Sequence, residues 1–106
     1  MPRYLITGSY SPQGARGVLV EGGSGRVAAV EKLISSLGGK VESFYFGFGE
    51  NDFFVTVELP NNAAAASGAM SVAAGGGAGV RTTVLLTPEE VDAAIKLSPS
   101  YRAPGA

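Results

Sequence analysis

The stretch Lys40–Leu59, KVESFYFGFGENDFFVTVEL, constrains this chain more than any other. All five phenylalanines fall in it, together with most of the strong strand formers. It reads as two β-strands joined by a glycine turn. In its second half Phe53, Val55, Val57 and Leu59 recur at every second position, with Asp52, Phe54, Thr56 and Glu58 between them. Alternate residues of a strand point to opposite faces. The first set is wholly apolar and is expected to face helices. The second is mixed, which suggests a sheet face that meets a partner or lines a cavity. The glycines of the turn Gly47-Phe48-Gly49-Glu50-Asn51-Asp52 are expected to take positive φ, as short hairpin turns require.

The rest of the chain supplies the remaining layers. Arg3–Tyr10 reads as a first strand. Ser11 as N-cap and Pro12 at the first helical position start a short helical turn. Gly22-Gly23-Ser24-Gly25 is expected to break the chain after the apolar Val18–Val20. A longer helix then begins at Ser24 or Gly25, with Val27, Val30, Leu33, Ile34 and Leu37 at helical spacing. Gly38-Gly39 ends it. Pro60 stops the hairpin, and Asn61 or Asn62 caps the next helix. Ala63–Ala74 is almost all Ala, Ser, Gly and Met, so this helix has no bulky stripe and can lie close to its support. Gly75-Gly76-Gly77 ends it, and Val80–Leu86 is a fourth strand. Thr87-Pro88-Glu89-Glu90 opens a last helix with the signature of a capping box, and Val91, Ala94 and Ile95 are expected to be its inner face. Ser98–Ala106 reads as a loose tail.

The order is therefore βαββαβ with a C-terminal helix. It predicts an α+β, ferredoxin-like fold, a four-stranded antiparallel sheet with helices on one face. One domain over residues 3–96 and a tail over 97–106 account for all 106 residues.

Composition removes several kinds of chemistry. With no Cys there are no disulfides, thiolate metal sites or Cys nucleophile. With no His the commonest transition-metal ligand and near-neutral acid–base group are missing. The net charge is −1, and no Lys or Arg lies between Lys40 and Arg81, so the aromatic strands carry no interleaved cations for nucleic acid. No apolar run approaches the roughly 20 residues of a spanning helix. The first residues, MPRYLITGSYS, lack the apolar middle of a signal peptide. A cytoplasmic protein with no membrane or nucleic-acid partner is expected.

The glycine motifs are not phosphate loops. Gly47-x-Gly49-x-x-Asp52 lacks a third glycine and leads into a strand, whereas a phosphate site needs a helix N-terminus. Gly75–Gly79 lacks the Lys-Ser/Thr of a phosphate loop. Asp52 and Glu50 form a possible carboxylate pair, but the better reading has Asp52 accepting hydrogen bonds from turn amides and Glu50 solvated. No spaced run of oxygen ligands suits a hard cation. Glu58 shares the mixed face with Phe54 and is expected to pair with Arg81, either as a plain cross-strand or intersubunit ion pair or as a polar anchor at the bottom of a pocket. Tyr4, Phe44, Tyr45, Phe46 and Phe54 could line a flat cavity, although strand aromatics are more often core or interface.

Several of these residues also carry a family resemblance. Gln13-Gly14, Arg26, Leu37-Gly38-Gly39-Lys40-Val41, Ser43-Phe44-Tyr45, Phe48-Gly49-Glu50 with Asp52, and Val80-Arg81-Thr82 together resemble the small bacterial GYD-domain proteins. The resemblance spans roughly residues 3–95. It departs at Asn51, where the family usually has an aromatic, typically Tyr. If that Tyr has a functional hydroxyl, Tyr45, Tyr4 or Tyr10 would have to supply it here. The resemblance implies a subunit similar to the dimeric α/β-barrel proteins, in which two sheets pack face to face. That group includes cofactor-free monooxygenases, isomerases, haem enzymes and amino-acid-sensing domains, so fold alone names no function. A haem role would lack its usual His ligand.

The residues themselves favour a homo-oligomeric binding or structural module that pairs through the mixed sheet face. Such a module holds a small apolar or aromatic ligand near Tyr4, Phe54, Glu58 and Arg81, and needs no cofactor or metal. The alternative is a cofactor-free enzyme, monooxygenase- or isomerase-like, in which Tyr45 or Asp52 handles the proton.

Overall fold

The computed structural model describes residues 1–106. Its elements run β1 (Arg3–Tyr10), α1 (Pro12–Ser36), β2 (Lys40–Phe46), β3 (Phe53–Glu58), α2 (Asn62–Gly75), β4 (Ala78–Leu85) and α3 (Pro88–Leu97). The strands form one antiparallel sheet in the order β2-β3-β1-β4. Each of the two halves, β1-α1-β2 and β3-α2-β4, places its strands two positions apart with a strand of the other half between them. This is the ferredoxin-like arrangement.

The alternation in β3 decides which face is buried. Phe53, Val55, Val57 and Leu59 are buried, and with Tyr4, Ile34 and Ala65 they form the core. Each fully buried side chain of this kind contributes roughly 1.5–3 kcal/mol. In β1 the same parity holds: Tyr4 lies opposite Val57 and Ile6 opposite Val55. In β2 the register shifts between Val41 and Ser43, so Val41, Phe44 and Phe46 still meet Val57, Val55 and Phe53. The extra residue of this bulge is Glu42, whose carboxylate reaches Arg3 on the open side of the sheet.

Capping follows the sequence closely. The Ser11 hydroxyl accepts from the Gly14 N–H at 3.0 Å, and the Asn61 side chain accepts from the Ala64 N–H at 2.9 Å. Both halves of the Thr87–Glu90 capping box form. Gly76 adopts the left-handed conformation at the end of α2.

Four expectations are corrected. The break at Gly22–Gly25 narrows to Gly22 alone (φ 79°, ψ 164°), so residues on both sides of it are helical. Gly47 and Gly49 do not take positive φ. The connection is a six-residue loop closed by Gly47 N–H to Asp52 C=O at 2.9 Å, and a loop of this length does not impose the positive φ of a two-residue hairpin turn. Gly75-Gly76-Gly77, expected only to end α2, also holds the start of α1. Ser11 donates to the carbonyls of Gly76 and Gly77, and Gly14 lies so close to Gly77 that any side chain there would strike the Gly77 carbonyl and displace the backbone.

The fourth correction concerns α3. Val91, Ala94 and Ile95 are not an inner face, because every residue of this helix is exposed. Helices α1 and α2 already cover the sheet, so the stripe encoded in α3 has no support in its own chain. The radius of gyration is 16.8 Å, against about 13 Å for a compact chain of this length. The molecule measures 55 × 33 × 22 Å.

Candidate functional site

Three of the four residues expected around a ligand share one sheet face, and the fourth, Tyr4, does not. Phe54 and Glu58 lie on the open face in β3, Arg81 on the same face in β4, and Tyr45 opposite Phe54 in β2. Tyr4 lies on the other face. It is buried, and its hydroxyl donates to Asn62 Oδ1 at 2.6 Å, which ties β1 to the start of α2. Glu58 does not pair with Arg81. Glu58 stands opposite Arg3, and Arg81 stands opposite Thr7, four residues further along β1. At roughly 3.3 Å per residue that is about 13 Å. Glu58 instead lies 3.6 Å from Arg3 Nη2, while Arg3 Nε donates to Glu42 at 2.7 Å. The hydrogen bond and charge of Glu42 hold the Arg3 guanidinium more firmly protonated than usual.

Asp52 is a clamp. Its Oδ2 accepts from the Tyr10 N–H at 2.9 Å, and its own N–H donates to the Gly8 carbonyl at 2.7 Å. The partners are in β1 and not in the turn, so the carboxylate fixes the hairpin to the sheet centre. The Ser9 hydroxyl adds a bond to the Glu50 carbonyl at 3.0 Å.

The cavity lies on the helix side. It has a volume of about 320 Å³ and is walled by β1, β2, β3 and β4 below and by α1 and α2 above. Its origin is legible in α2. Ala65 and Gly68 are the only buried residues of that helix. Small residues at Ala65, Gly68, Ala69 and Gly75 leave a gap that Leu or Ile would fill. Ile6, Val30, Leu33, Phe44 and Val55 make most of the remaining wall apolar.

Two polar groups stand out in that wall. Arg26 projects from α1 in step with Val30, Leu33 and Leu37, on the stripe side of the helix. Its Nη1 lies 3.3 Å from Glu21 Oε1 across the kink at Gly22. Its Nε is sealed from solvent and has no acceptor. A buried donor left in that state costs about 1–3 kcal/mol. Tyr10 extends from β1 with its ring on Phe53, centroids 5.1 Å apart. Burial pushes its phenol above the usual range, Arg26 opposes the shift, and Asp52 and Glu21 reinforce it. Tyr10 therefore stays protonated at neutral pH and offers a donor.

The sequence offers Tyr10 only as a substitute hydroxyl and Arg26 only as part of the family resemblance, and neither is expected beside a ligand. The signal for Arg26 was present: a cation on the apolar stripe of an amphipathic helix is out of place unless something meets it. For Tyr10 the signal was parity with Tyr4 and Ile6. No three Asp or Glu side chains converge as metal ligands, and no helix is long and apolar enough to cross a membrane.

With this geometry in view, a family model for the GYD domain matches residues 4–95. The protein belongs to the GYD-domain family. The match takes in both walls of the cavity and most of α3. No curated protein matches the chain.

Proposed function

We propose that this protein is a homo-oligomeric binding module whose helix-side cavity holds a small apolar or aromatic molecule. The observation that carries the reading is the 320 Å³ apolar cavity with Arg26 and Tyr10 in its wall, which is within the range of small-ligand sites. Self-association is supported by the open sheet face, where Phe54 and Tyr45 are exposed beside half-buried Leu5. The unsupported stripe of α3 adds a second exposed apolar surface. A second copy of the chain is the partner proposed for both, in line with the face-to-face sheets of the dimeric α/β-barrel proteins it resembles.

Catalysis has less support. Tyr45 is exposed on the face away from the cavity, and Asp52 is engaged as an acceptor at Tyr10. Tyr10 reaches the cavity but keeps its proton too tightly to act as a base near neutrality.

Calorimetric titration with 2-acetylnaphthalene, and sedimentation of the same sample, test the two halves of the reading separately. Saturable one-site uptake and a dimer or larger species at micromolar concentration are expected. Absence of uptake removes the ligand half, and a monomer removes the oligomer half.

A further inference from the structure

We infer that the cavity selects an uncharged aromatic molecule bearing a carbonyl oxygen, which accepts from Arg26 and Tyr10, and that it rejects the corresponding carboxylate. The inference rests on the cavity reading above and adds the chemistry of the ligand's polar end.

Three observations combine. The first is donor supply. Arg26 Nε has no acceptor, and its guanidinium edge is free on the side away from Glu21, which engages Nη1 at 3.3 Å. The Tyr10 hydroxyl likewise makes no hydrogen bond within the chain, and both residues line the cavity. Two donors without partners call for an acceptor oxygen.

The second is charge. The groups around this end are one cation, Arg26, and two carboxylates, Glu21 beside it and Asp52 at the base of Tyr10. Glu21 already offsets Arg26. An incoming carboxylate would add a third negative charge beside an apolar wall, where like charges are poorly screened. A carbonyl uses the same two donors without that repulsion. The third is shape. Phe44, Val55 and Ala69 are part of the apolar wall, which suits a flat hydrocarbon body.

The test is a matched series on the unaltered full chain: 2-acetylnaphthalene, 2-naphthoate and 2-ethylnaphthalene at neutral pH. The ketone is expected to bind at least tenfold tighter than either of the others. Arg26→Met should bring ketone and hydrocarbon to within about threefold of each other, and Glu21→Gln should improve naphthoate binding several-fold relative to the ketone. If naphthoate binds tightest, or the hydrocarbon binds as well as the ketone, the inference is overturned and the cavity reading stands. If none of the three binds, both are overturned. The series on the unaltered chain decides the matter even where a variant fails to fold.

Discussion

Phe53 and Phe54 are neighbours in sequence and belong to different environments. Phe53 is 6% exposed, inside the core and against Tyr10. Phe54 is 40% exposed, on the open face opposite Thr7 and Tyr45. The two faces of the sheet differ in the same way. One is apolar and covered by helices, yet it contains the cavity. The other is half polar and uncovered. Whether a sheet face holds a ligand is decided by what packs on it and not by its own polarity. Here a helix of alanine and glycine covers the apolar face incompletely, so the cavity sits where the sequence pattern alone says core.

Substituting the two phenylalanines measures this contrast directly. Phe53→Ala should cost about 3–5 kcal/mol in chemical denaturation, the range for truncating a buried aromatic. Phe54→Ala should change the monomer's stability by less than about 1 kcal/mol while weakening self-association at least tenfold, or about 1.4 kcal/mol, in sedimentation. Equal losses of stability at both positions would break the two-face comparison. Ile95→Asp on α3 extends it. Surface substitutions of this kind alter folding by about 0.5 kcal/mol or less, so a loss of association without a loss of secondary structure is expected.

Smaller effects sharpen the helix-side half. Tyr4→Phe removes the donor to Asn62 and should cost about 1–1.5 kcal/mol. An unchanged denaturation midpoint would show that this bond contributes nothing net. Ala69→Leu places a larger side chain in the cavity wall. It should abolish uptake of 2-acetylnaphthalene and shift stability by about 1 kcal/mol in either direction, according to how well the Leu fits.

The smallest effect is electrostatic. Burial raises the folded-state pKa of Tyr10 above its ordinary value of 10.0. The folded state then holds the proton more tightly than the unfolded state, so this contribution is complete below pH 10 and is lost as pH rises through the folded value. Tyr10→Phe should flatten the alkaline end of the stability profile and leave the neutral region unaffected by this term.

Much of the fold was legible because local rules set it. The period-two pattern of Phe53–Leu59 gave the buried face, and Ser11-Pro12, Asn61 and Thr87–Glu90 gave three helix starts. The bulge at Glu42 was not legible, since an inserted residue shows only in the pairing. Nor was the fate of α3, because an amphipathic stripe specifies that a helix has an apolar side without saying what lies against it. The site was less legible than the fold. Glu58 and Arg81 share a face, but the strand order puts β1 between them, and Arg3 takes the role expected of Arg81. Tyr4 was grouped with Phe54 by residue type, and its parity in β1 sends it to the other side.

The sequence by itself determined the element order, the helix caps, the apolar face of the central hairpin and the absence of thiol and imidazole chemistry. These follow from residue type and spacing over a few positions. Tertiary structure decided which strands are neighbours, that Asp52 clamps Tyr10, that Arg26 and Tyr10 line one cavity, and that α3 lies uncovered. Each of these joins residues from separate parts of the chain, and no local propensity sets such distances. The cavity shows both kinds of determination: the small residues of α2 are written in the sequence, but the empty volume exists only where that helix crosses the sheet.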